Sequence, residues 1–185
     1  VVITKTDLTT GTPVPGATIE IYDADGNVVY SGITSQTGQL HAFQLPADAH
    51  YTFRETLSPN GHALNPNSFS FEILPDGTVS GVTEFTDDVS RIRVLKIDAV
   101  TKKPLAGVSF GLYTQSGEQL QVQKTNSEGI AEFIVEQGTW QIIEVSALNG
   151  YAPSGKIITV EVGSDYINGD PIVVENAPLI QTGVD

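Results

Sequence analysis

The chain repeats itself. VVITKTD near the start is matched by RVLKID, and GTPVPGATIEIYDADG by KKPLAGVSFGLYTQSG. TSQTG at 34–38 is matched by TNSEG at 125–129, and YTFRETLSPNGH by WQIIEVSALNGY. Lys5 to Lys96 and Gly38 to Gly129 are both 91 positions apart; Glu55 to Glu144 is 89, so a small deletion lies between. A repeat of this length means two copies of one small fold, each with its own core. We place the boundary near Asp88, giving domains at 1–88 and 89–185, the second with a C-terminal linker or sorting-like tail. The joint DVSR is short and has no Gly/Ser-rich spacer.

Each copy reads as all-β. ATIEIYD and KIITVEV alternate apolar and polar residues, and Gly, Pro, Asn and Asp punctuate the runs. Helical periodicity is nearly absent. Short strands between frequent turns predict a β-sandwich in each copy.

The repeat also decides which side of each strand faces inward. In the first copy Tyr51, Phe53 and Glu55 share one face, opposite Thr52, Arg54 and Thr56. The aromatic face is the core face, so Glu55 points inward. By equivalence Glu144 does too, on the face of Trp140 and Ile142. Ile3 with Lys5, and Ile92 and Val94 with Lys96, put a lysine on the core face of each opening strand. The chain has six lysines, and two of them hold this one position. In the closing strands, Asn176 shares a face with Ile172 and Val174, and Asp87 with Phe85. The first copy ends FTDDV, so Asp88 competes with Asp87; parity with Phe85 favours Asp87.

Each copy therefore aims one Lys, one Glu and one Asn or Asp at its interior. An unpaired buried charge costs several kcal/mol or more. One account is a buried ion pair with a neighbouring amide. The other is chemical. Desolvation favours a neutral lysine, which is a nucleophile, and a protonated carboxyl, which can polarise a carbonyl and relay protons. Lysine attack on Asn expels ammonia; attack on Asp expels water. The product is an isopeptide bond inside the fold.

These residues resemble the Cna-B family, the prealbumin-like sandwiches of Gram-positive pilins and surface adhesins. The likeness rests on KTD at 5–7 and KID at 96–98, the PVPGA and PLAGV steps, the YDADG and YTQSG turns, and above all the two segments YTFRETLSPNGH and WQIIEVSALNGY. It implies two tandem immunoglobulin-like or prealbumin-like β-sandwiches. It also implies bonds Lys5–Asp87 and Lys96–Asn176, assisted by Glu55 and Glu144. His62 departs from the pattern, standing where the family usually has Tyr. The family's polymerisation lysine motif is not visible, which favours an accessory pilin or adhesin stalk. Expected partners are other pilin subunits or domains of the same surface protein, at the wall or pilus of a Gram-positive cell. The rival reading is an adhesin module that binds a host protein or glycan through its loops; a plain spacer without crosslinks is a third.

A net charge of −13 argues against nucleic acid and anionic membranes as partners. No apolar run is long enough to span a bilayer, and no signal peptide is visible, so the chain reads as a mature fragment. With no cysteine, disulfides and thiolate metal sites are excluded. No cofactor or metal is expected: His41, His50 and His62 lie in separate segments and are read as surface residues, and DADGN at 23–27 is read as a hairpin turn rather than half a calcium loop. No nucleophile-elbow, phosphate-loop or dinucleotide motif appears, which argues against a turnover enzyme. The tail LIQTG resembles a sortase signal through Leu179, Thr182 and Gly183, with Ile180 in place of proline; cleavage would fall between Thr182 and Gly183.

Overall fold

The structure, a computed structural model, describes residues 1–180. Among these there is no helix. The first unit has eight strands: β1 (Val2–Asp7), β2 (Thr18–Tyr22), β3 (Val28–Ile33), β4 (Gln39–His41), β5 (Ala49–Leu57), β6 (Ser68–Ile73), β7 (Val79–Gly81) and β8 (Glu84–Asp87). They form two sheets, ordered β4-β1-β8 and β3-β2-β5-β6-β7. The second unit repeats this with β9 (Arg91–Asp98), β10 (Ser109–Thr114), β11 (Gln119–Lys124), β12 (Ile130–Ile134), β13 (Gly138–Ser146), β14 (Ile157–Val162) and β15 (Ile172–Asn176). Its sheets are ordered β12-β9-β15 and β11-β10-β13-β14, so β7 has no counterpart. By internal contacts the first unit runs Val1–Ser90 and takes in Gly163–Asn168; the second comprises Arg91–Val162 and the chain from Gly169. The segment taken in is tied by main-chain bonds, Ser58 N–H to Ser164 O at 2.8 Å and Leu64 N–H to Tyr166 O at 2.7 Å.

The period of two is visible in the burial. Ile3, Lys5 and Asp7 of β1 are buried, as are Ile92, Val94, Lys96 and Asp98 of β9. Ile3, Ile19, Ile21, Tyr51, Phe53, Phe71 and Phe85 form the core of the first unit and come from both of its sheets. Full burial of such side chains contributes about 1.5–3 kcal/mol each. Phe53 stacks on Phe69 at 5.3 Å and meets Phe85 edge-on at 5.4 Å. Trp140 is not among the buried side chains of the second unit. It is half-buried at the start of β13, where its indole N–H bonds Glu136 O at 2.9 Å. The core face of β13 therefore begins at Ile142. DADGN is the β2–β3 turn, with Asp23 Oδ1 accepting from the main-chain N–H groups of Asp25 and Asn27.

The closing strand of each unit lies beside its opening strand and runs parallel to it. Lys5 stands opposite Phe85 and Asp7 opposite Asp87; Lys96 stands opposite Val174 and Asp98 opposite Asn176. Each lysine is thus one diagonal step from the Asp or Asn that the repeat pairs with it. Its main chain is pinned on the other side by the turn containing Gly38 or Gly129. Lys5 N–H bonds Gly38 O, and Lys96 N–H bonds Gly129 O, both at 2.8 Å.

Those two glycines have a steric reason. Gly38 has φ +72°, and a Cβ there would lie 2.4 Å from Lys5 O; at Gly129 (φ +78°) it would lie 2.7 Å from Lys96 O. Gly38→Ala is expected to lower the stability of the first unit by about 2–3 kcal/mol, read as the urea midpoint. Gly77 also has positive φ, but open space around it. Gly77→Ala should therefore cost only about 1 kcal/mol. Equal losses at the two positions would mean that contact with the lysine carbonyl is not what selects glycine.

Candidate functional site

In the second unit the lysine comes from β9, the amide from β15 in the same sheet, and the carboxyl from β13 in the facing sheet. Lys96 is 0% exposed, Asn176 1% and Glu144 8%. Lys96 Nζ donates to Glu144 Oε2 at 2.9 Å and also to Asn176 Oδ1. Asn176 Nδ2 donates to Glu144 Oε1 at 2.7 Å. One carboxyl thus bridges the amine and the amide nitrogen, while the amine rests on the amide oxygen. Glu144 is further held by Ser154 N–H at 2.9 Å. Burial pulls the Lys96 amine below the usual lysine range, with Glu144 opposing.

In the first unit Lys5 Nζ donates to Asp87 Oδ1 at 2.5 Å and lies 3.4 Å from Glu55 Oε1. Asn65 N–H bonds Glu55 Oε2 at 2.8 Å, as Ser154 does for Glu144. The lysine lies 3.6 Å from the Phe85 ring centroid. Two carboxyls and one amine are buried together, and burial decides their protonation. It pushes Glu55 up to about 8, Lys5 lowering it and Asp87 raising it. It also raises Asp87 against the pull of Lys5, and lowers Lys5 against both carboxylates. Glu55 Oε1 and Asp87 Oδ2 accept no other hydrogen bond. A proton on Glu55, directed at Asp87, satisfies both atoms.

Asp87, not Asp88, meets Lys5. Asp88 is half-buried, and its Oδ1 accepts Val89 N–H at 2.8 Å. Leu179 and Ile180 are exposed; Thr182 and Gly183 lie outside the described residues. His41 and His50 are exposed. His62 is not the surface residue expected of it. Its ring is 21% exposed, and Nε2 lies 2.8 Å from Asp7 Oδ2.

The contact reveals a pair that reading the sequence missed. Asp7 Oδ1 accepts from Thr9 and Thr10 N–H, both at 2.9 Å, closing the turn after β1. Asp98 Oδ1 does the same with Val100 and Thr101. The second carboxylate oxygen reaches the loop after the glutamate strand: Asp7 to His62, and Asp98 to Tyr151 OH at 2.7 Å. The same loops form bridges His62–Val89 and Tyr151–Pro178 to the chain just past each closing strand. The clasp holds together the ends of the strands that carry the buried lysine and its Asp or Asn partner. The Thr10 N–H, followed by His62 and Thr9, holds Asp7 at about 2, against burial. Its signal in the sequence was the recurrence of Asp in KTD and KID. The Asn65 and Ser154 contacts are main-chain and left none.

The chain matches the family described as SpaA, prealbumin-like fold domain, at residues 1–87 and again at 90–174. Among curated proteins it is 32% identical over 78 residues to the trypsin-resistant surface T6 protein of Streptococcus pyogenes serotype M6. That match covers 42% of the chain and 14% of the relative, so the chain spans about a seventh of the relative's length. Among solved structures, the Bacillus anthracis TIE protein is 30% identical with a TM-score of 0.45, over 95% of the chain and 33% of that protein. GBS52, the minor pilin of Streptococcus agalactiae, is 18% identical with a TM-score of 0.43, over 100% of the chain and 98% of that structure. With two successive matches that together span nearly all of its length, the chain belongs to the SpaA prealbumin-like fold domain family and carries that domain as two tandem copies.

Proposed function

We propose that the chain is a load-bearing segment, stalk or accessory pilin, of a Gram-positive surface protein, and that each unit locks itself with one intramolecular isopeptide bond. The observation that carries this reading is the bridge at Glu144, which touches both the attacking amine and the nitrogen that would leave. Neutral Lys96 Nζ attacks Asn176 Cγ. Glu144 takes a proton from the amine and passes it to Nδ2, which departs as ammonia while the C–N bond forms. In the first unit Lys5 attacks the Asp87 carboxyl, with Glu55 as the acid, and water leaves. Each bond forms once, without cofactor or metal. Family membership supports a structural role rather than a turnover enzyme.

Partners on this reading are other subunits or domains of the same surface protein. LIQTG, with Leu179, Thr182 and Gly183, is the candidate point of sortase attachment. The direct test is peptide mapping. Digestion is expected to yield a branched peptide joining the Lys96 segment to the Asn176 segment, and a second joining Lys5 to Asp87. Recovery of the four segments as separate linear peptides would refute the bonds.

A further inference from the structure

The two units differ at two positions linked through the Asp that follows the lysine, which stands opposite one of them in the strand register and contacts the other. Where the first has Asp87 the second has Asn176, and where the first has His62 the second has Tyr151. Otherwise the clasps agree: an Asp two residues after the lysine, closing a turn with one oxygen and bonding the loop residue with the other. Changing Tyr to His is therefore not needed to hold the strands. It adds one thing, since an imidazole can be a cation near neutral pH and a phenol cannot.

We propose that His62 is the pH-responsive positioning residue of the Lys5–Asp87 site: its imidazolium opposes bond formation, and its neutral form permits it. This rests on the reading that Lys5 and Asp87 condense.

The reason lies in where the protons are. Lys5, Glu55 and Asp87 are each no more than 4% exposed, so they exchange protons with one another more readily than with solvent. Before the bond forms, the amine and Asp87 must go from ion pair to neutral pair, one proton moving from Nζ to the carboxyl. The C–N bond then closes and water departs, leaving the Glu55 proton count unchanged. A positive charge beside Asp87 favours the carboxylate and so the unreactive ion pair. His62 acts in this direction: it is among the charges that lower Asp87, and not among those that move Lys5. Its side chain is 21% exposed and reaches solvent, while the three reacting groups are sealed in the core.

The charged groups around the ring are Asp7 on β1, Asp87 closing β8 with Asp88 next to it, and Lys5 and Glu55 deeper in the core. Asp7 stays ionised throughout and offsets part of the imidazolium charge. In the second unit the electrophile is a neutral amide, with no carboxylate to stabilise, and the clasp residue is uncharged.

The test uses the full chain with a photocaged lysine at position 5. The cage is removed in denaturant, and the chain is diluted into buffers from about pH 5.5 to about pH 8.5, a range spanning histidine titration. Intact mass then follows the loss of one water; the ammonia loss of the second unit is already complete. The native sequence should form the bond about tenfold more slowly at the acid end, the effect of one added charge acting through a partly buried medium. His62→Tyr should bring the ratio between the two ends to about twofold or less. His62→Gln should do the same while keeping an N–H donor for Asp7, which separates lost charge from a lost clasp. An unchanged ratio in both variants would overturn the proposal. No loss of water in any protein at any pH would instead remove the condensation itself, and the role of His62 with it.

Discussion

Intact-mass spectrometry of the purified chain is expected to return the mass of the sequence less one ammonia and one water. The two losses are diagnostic because the proposed electrophiles differ, an amide at Asn176 and a carboxyl at Asp87. A deficit of one ammonia alone would mean that only the second unit closes. Glu144→Ala should restore the ammonia and leave the water missing. Since Ala also leaves Lys96 in the core without its carboxylate partner, Glu144→Gln is the better-folded companion. It keeps the size of the side chain and one carbonyl oxygen to accept from Lys96, but sets an NH2 group where Asn176 Nδ2 donates and cannot carry the proton from one to the other. A full deficit in Glu144→Gln would show that the carboxyl is not the relay. A mass equal to the plain sequence in the native protein would end the crosslinking account.

The second large effect is mechanical and thermal. Lys96 and Asn176 are 80 residues apart in the chain. A tie between them removes everything in that loop from the path of tension, leaving the short stretch between Asp87 and Lys96 to join one tie to the next. Stretched by its ends, the native chain should release no length from this loop at any force that spares covalent bonds. Glu144→Gln should unfold with a new step of about 26 nm, the reach of an extended chain of that length. By loop closure the same tie is worth roughly 4–5 kcal/mol, so the variant's second unit should melt on the order of 20 °C lower. An amide tie is indifferent to reductant, which suits a chain that has no cysteine. Equal melting temperatures and no new step would place the strength of the unit in its packing alone.

Much of the site was legible because the chain is written twice. Ile142 and Ile143 are both apolar, so β13 by itself does not declare its inner face; Tyr51, Phe53 and Glu55 do, and the burial of Glu55 and Glu144 follows. The same comparison oriented Lys5 and Lys96. Parity with Phe85 separated Asp87 from Asp88. What stayed hidden were contacts that carry no residue signature. Main-chain N–H groups at Asn65 and Ser154 support the two glutamates, and any residue except proline could supply them. His62 was misjudged because a lone histidine in a loop has no periodicity to orient it. Its partner, Asp7, sits one turn of the pleat beyond Lys5, and only the folded register brings the two together. Trp140 misled in the opposite sense: strand parity put it on the face of Ile142, but near the start of β13 it is only half-buried.

The parallel pairing of first and last strands has a consequence that does not depend on any covalent bond. Because β1 and β8 run the same way, the chain enters one end of that pair and leaves at the other. β9 and β15 repeat the arrangement. Tension along the chain therefore slides the two strands past each other instead of peeling them apart. All the rungs between them share the load at once, as in a lap joint, whereas a hairpin would open rung by rung like a zipper. A unit is thus loaded in its strongest orientation as soon as its strands pair, with or without a covalent tie between them.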